Sequence, residues 1–152
     1  MTPTETETES AFEIDRAAHT IRFSRHLPAR PARVFAAWTD PASVTQWWDP
    51  TGAPLAECEI DAREGGAFRF VNQGHPDHPF VGTYTRLDPP NGFDMAAMGA
   101  TSQTRFTPEG QGTRMVMEMR CASAEHLEQF LKLGIAEGTA KTLANLGAHL
   151  AG

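Results

Sequence analysis

Residues 113–120 read Thr113-Arg114-Met115-Val116-Met117-Glu118-Met119-Arg120, and the three methionines at alternate positions decide how this part of the chain folds. A strand turns successive side chains to opposite faces, so Met115, Met117 and Met119 share one face and Arg114, Val116 and Glu118 the other. The same period of two runs backwards to Leu55. It predicts strands over Ala56–Asp61, Ala67–Asn72, Phe80–Leu87, Gly92–Ala97 and Thr101–Thr107, with Thr113–Arg120 the last. Turn chemistry separates them: Glu64-Gly65-Gly66, Gly74 to Pro79, Asp88-Pro89-Pro90-Asn91-Gly92, Gly99, and Pro108 to Gly112. Connections this short imply an antiparallel meander.

Outward from this block the period changes. Downstream, Ala124–Leu150 reads as a long helix whose apolar stripe drifts: Leu127, Phe130 and Leu131 mark one face, and Ile135, Leu143, Leu146 and Leu150 a face rotated from it. Gly134 and Gly138 fall where the stripe drifts, so either a bend or a short helix followed by the main one reconciles the faces. Upstream, His19–Leu27 alternates as a strand that Pro28 ends. Pro31 suits the first turn of a helix, where its missing N–H needs no partner, and Val34, Phe35 and Trp38 give that helix an apolar stripe. Asp40-Pro41 then supplies the cap and first residue of a second short helix carrying Val44, Trp47 and Trp48.

The predicted class is α+β: a seven-stranded curled antiparallel sheet, two short helices and a long C-terminal helix. One apolar sheet face must be covered, and the C-terminal helix is the only long amphipathic element available to cover it. A sheet wrapped on one helix need not fill its interior, and the space between them is a natural apolar ligand site. Alternation turns Phe68 and Phe70, Phe80 and Tyr84, and Met95 inward with the three methionines. Leu131, Ile135 and Thr139 are the candidate lining from the helix. Methionine is flexible and polarisable, which suits both plain core packing and adaptable contact with a ligand.

The composition narrows the partners. The chain has 152 residues, 40% of them hydrophobic, which suits one domain over 18–152 behind an acidic, Thr/Glu-rich tail over 1–17 read as disordered. Thirteen Lys and Arg against 19 Asp and Glu leave a formal charge of −6, which argues against nucleic acid and against docking on anionic lipid. There is no run of 18 apolar residues and no basic start with an apolar middle, so neither membrane insertion nor a signal peptide is expected, and the cytoplasm is the expected location. Cys58 and Cys121 are too few for a disulfide scaffold and read as reduced core thiols.

Chemistry-bearing patterns are sparse. His75-Pro76-Asp77-His78 brings two imidazoles and a carboxylate together, but in a Gly/Pro loop with no third ligand at a familiar spacing, so no metal is expected. There is no G-x-S-x-G, P-loop or dinucleotide glycine fingerprint, and no cofactor is expected. Arg25 falls on the apolar side of the first strand; it either anchors a polar group of a ligand or pairs with an internal acid such as Glu118 or Asp94. The three tryptophans have the spacing of helix packing.

In order along the chain, these residues resemble a known family. Arg25-His26-Leu27 running into Pro28–Phe35, Ala37-Trp38-Thr39-Asp40-Pro41, Gln46-Trp47-Trp48-Asp49-Pro50, Asp61-Ala62-Arg63-Glu64-Gly65-Gly66, Gly82-Thr83-Tyr84 through Asp88-Pro89-Pro90, and Glu137-Gly138 with Leu143 and Leu146 are similar to the activator of Hsp90 ATPase homologue 1-like branch of the START/Bet v1-like (SRPBCC) superfamily. The resemblance covers His19 to Leu150. It implies a helix-grip fold and a cavity that binds small hydrophobic molecules, lipid-like or polycyclic. It leaves open a polyketide cyclase/aromatase-like enzyme, with Arg25, Tyr84 or a histidine as acid, base or oxyanion donor, and a module associated with Hsp90. It also allows a homodimer. Thr139 stands where many relatives carry Trp after Glu-Gly, which implies a larger or differently shaped cavity beside it. No catalytic residue is assigned, and binding ranks ahead of catalysis.

Overall fold

A computed structural model describes residues 12–152. Their elements are β1 (Glu13–Asp15), β2 (Thr20–Leu27), α1 (Pro31–Thr39), α2 (Pro41–Trp47), β3 (Leu55–Ile60), β4 (Ala67–Asn72), β5 (Phe80–Asp88), β6 (Gly92–Ala97), β7 (Ala100–Glu109), β8 (Gly112–Arg120), α3 (Ala124–Lys132) and α4 (Ile135–Ala151). Asp40 serves two helices. Its N–H donates to the Ala36 carbonyl at the end of α1, and its carboxylate accepts from the Ala42 N–H at the start of α2. Trp38 and Trp47 then pack edge to face with ring centroids 4.8 Å apart, and Trp38 also meets Phe93 of β6. The tryptophans thereby join the short helices to the sheet.

The sheet has eight strands in the order β1-β2-β8-β7-β6-β5-β4-β3, all antiparallel. The expected seven are joined by β1, three exposed residues that pair only with β2. Of the tail expected over 1–17, residues 1–11 lie outside the described residues and Glu13–Asp15 form this strand. The α1–α2 pair carries the chain from β2, near one edge, to β3 at the other.

Ridges of inward side chains cross the sheet in register. One runs Ile21–Met119–Ser102–Met95–Tyr84, the next Phe23–Met117–Thr104–Phe93, and a third begins Arg25–Met115–Phe106. Gly82 belongs to this face because an added Cβ there would lie 2.5 Å from the Phe68 ring and 2.4 Å from the Ala96 carbonyl. The absent side chain lets Phe68 lie across β5. The helix expected over 124–150 is two helices. Ser123 caps α3 through the His126 N–H, and Gly134, at φ 75°, breaks the rod before α4. Helix α4 buries Ala136, Thr142, Leu143, Leu146 and Leu150 over the concave sheet face. No helix of the described residues is long and apolar enough to cross a membrane.

Candidate functional site

The gap between the sheet's concave face and the C-terminal helices holds a pocket of about 270 Å³. Its floor is Met95, Ser102, Met117 and Met119 on β6–β8. Phe130, Ile135, Gly138, Thr139, Thr142 and Leu143 come from α3 and α4, and Trp38, Trp48, Pro50, Asn72 and Phe80 close one side. Ala97, Met98, Ala100 and Thr101 form the β6–β7 corner, where Met98 is half exposed. Every lining residue is neutral: apolar, a hydroxyl or an amide.

Of the residues proposed from sequence, Phe80, Met95, Met117, Met119, Ile135 and Thr139 line this space. Phe68, Phe70, Tyr84 and Met115 sit in the packed interior around it, and Leu131 is partly buried at its margin. Phe68 and Phe70 pack against each other with tilted rings 5.2 Å apart, and Phe70 meets Trp48 edge to face at 4.8 Å. Tyr84 is enclosed by Phe68 and Phe93, and burial pushes its phenol well above the ordinary range. Met115 lies one ridge beyond Met117 and is wholly buried. Leu131 is rotated about 100° from Phe130, which takes the pocket side of α3.

Arg25 is also outside the pocket. It stands four residues along β2 from Ile21, whose ridge carries Ser102, and a strand rises about 3.4 Å per residue. Its guanidinium lies against Gly147 of α4, and its buried Nε has no hydrogen-bond partner. The pairing expected with Glu118 or Asp94 does not occur. Glu118 takes Arg22 at 2.6 Å and Asp94 takes Arg105 at 2.6 Å. Both acids sit at odd register from the inward residues, so they belong to the outer face.

Two polar clusters hold the pocket's walls. At the end of α2, the Asp49 carboxylate is 6% exposed and accepts from the Thr51 N–H, the Thr51 hydroxyl and the Asn72 amide at 2.7–2.9 Å. Burial disfavours its charge, but these donors outweigh burial and hold the carboxyl below its usual range. The neighbouring carbonyls are used as well: Thr142 donates to the Trp48 carbonyl and Asn145 to that of Asp49, which ties α4 to α2. At the other end, the Ala122 N–H donates to His126 Nδ1, so the proton is on Nε2, which donates to the Met98 carbonyl at 3.1 Å. This imidazole fixes the β6–β7 turn to α3.

Sequence reasoning missed Trp48, Met98, Phe130 and Ser102 as lining. Ser102 had a readable signal, because it alternates with Ala100 and Thr104 on the inward side of β7. The loop His75–His78 is exposed, and no three His, Cys, Asp or Glu side chains gather to hold a metal among the described residues. Both cysteines are free. Burial, with the charge of Asp40, pushes the Cys58 thiol up to about 11, which makes it a poor nucleophile at neutral pH.

Fold and site together define a helix-grip protein, a curled sheet closed by a C-terminal helix over an internal pocket. The family profile described as "Activator of Hsp90 ATPase homolog 1-like protein" matches residues 28–151, and the chain belongs to that family, within the START/Bet v1-like superfamily. Solved structures share the fold. A Mycobacterium smegmatis protein superposes with a TM-score of 0.80 at 22% identity, over 92% of this chain and 96% of that one. A Rhodobacter sphaeroides protein gives 0.79 at 23% identity, over 88% and 93%. An AHSA1-like protein of Aeromonas hydrophila gives 0.72 at 20%, over 87% and 92%. No curated protein matches the chain.

Proposed function

We propose that this protein binds a small, largely apolar molecule in the pocket between sheet and C-terminal helix. The observation that carries the reading is the lining: four methionines, Met95, Met98, Met117 and Met119, face Trp48, Phe80, Phe130 and Ile135 around a space of about 270 Å³. Apolar walls with few polar groups are what a hydrophobic ligand needs, and thioethers adapt their shape to it. A cyclase-like reaction asks for a titratable acid or base at the reacting atoms. The neutral lining favours binding over that chemistry.

The test is native mass spectrometry of protein purified from its own host, followed by organic extraction. A discrete hydrophobic molecule leaving with the protein is the expected result. Protein that emerges empty and shows no saturable binding of 1-aminoanthracene or of a panel of fatty acids and polycyclic aromatics would overturn the reading.

A further inference from the structure

We infer that Ser102 is the polar anchor of this pocket and that the ligand is a neutral, flat, conjugated molecule with a carbonyl or ether oxygen on its edge. The inference rests on the binding reading above and narrows its ligand class. Ser102 stands mid-floor on β7, only 7% exposed, with Met95 and Met119 beside it in register. Its hydroxyl enters none of the side-chain hydrogen bonds among the described residues.

The other polar side chains of the wall are accounted for differently. Asn72 gives its amide to Asp49, and Thr142 gives its hydroxyl to the Trp48 carbonyl. Thr101 points to the exposed side of β7, and Thr139 on α4 is only partly buried. The next inward residue on β7, Thr104, also has an unpartnered hydroxyl, but it is fully buried and outside the lining. The Trp38 indole N–H of the lining is also without a partner, but like the Thr104 hydroxyl it is fully enclosed and offers the cavity no surface, which leaves Ser102 as the deeply buried hydroxyl that reaches it. A buried hydroxyl without a partner is costly, and an acceptor brought in by a ligand relieves that cost. The flanking thioethers favour an aromatic face. No cation lines the pocket, so a carboxylate would be stripped of water with no counter-charge.

Three probes of one ring system test this: naphthalene, 2-acetylnaphthalene and 2-naphthoate, titrated by calorimetry into the wild type and Ser102→Ala. The ketone should bind the wild type about fivefold more tightly than naphthalene, the range of a single neutral hydrogen bond. Ser102→Ala should abolish that preference and bind naphthalene as before, which also shows that the variant is folded. 2-Naphthoate should bind most weakly to both. A ketone preference that is absent, or that survives in Ser102→Ala, while naphthalene still binds overturns the anchor and leaves the binding reading standing. Naphthoate binding as tightly as the ketone overturns the neutral ligand class. Failure of all three to bind the wild type overturns the flat, conjugated ligand class and leaves the binding reading to the extraction and the wider panel.

Discussion

Asp49 shows how single residues shape the pocket without lining it. Its carboxylate gathers Thr51 and Asn72, and its carbonyl takes Asn145. One buried acid thus links the end of α2 to β4 and α4. Its donors hold the folded carboxyl below the usual value of about 3.9. The stability it contributes is therefore complete above that value and is lost as the pH falls through the lower folded one. Asp49→Asn turns an N–H₂ towards one of the present donors and should cost about 1–3 kcal/mol at pH 7. In urea unfolding the gap between variant and wild type should narrow near pH 3. An equal gap at both pH values would mean that the charge of Asp49 contributes nothing to the fold. At the same scale, Arg25 shows the limit of reading a pocket from alternation. Alternation gives the face a side chain points to, but its ridge is set by strand register, and Arg25 lies two ridges from Ser102.

At the scale of elements, most of the architecture was legible because period and punctuation agree. The six strands from β3 to β8 fall within about two residues of their expected bounds, as turn residues and alternation mark the same places. Strand β1 was not legible: three exposed residues have no apolar face to read, and they are held only by β2. Of the three alternating methionines, Met117 and Met119 reach the pocket and Met115 does not, since α4 and its neighbours close the space over one part of β8 only. The drifting stripe of the C-terminal helix did show in the sequence, and its physical resolution is Gly134. Nothing lies within 4 Å of a Cβ built there, so the left-handed backbone alone resists substitution. Gly134→Ala should cost about 1–2 kcal/mol in urea unfolding, with Gly134→Asn between it and wild type. Full stability in the alanine variant would mean that α3 and α4 can join without the left-handed turn.

At the scale of the whole molecule, the sheet carries its ion pairs on the outer face, and the charged groups turned inside, Asp49 and Arg25, lie outside the neutral lining of the pocket. Arg22–Glu118, Arg69–Glu57, Arg105–Asp94 and the His26–Glu109–Arg114 group lie on the outer side of the sheet, where such pairs each contribute little to stability. They keep the outer face polar while the inner face is given over to packing and the pocket. Whether that inner space is the ligand site can be asked by filling it. Thr139 lines it from α4, at the position where the family resemblance places an indole in many relatives. Thr139→Trp should occupy much of the space, lower the affinity for 1-aminoanthracene at least tenfold, and leave the urea midpoint unchanged or raised, because buried apolar volume is filled rather than emptied. A midpoint that falls while the probe still binds would mean that the indole is forced into packed side chains instead of the cavity. No change in either measurement would mean that the residue at 139 does not set the volume of the pocket.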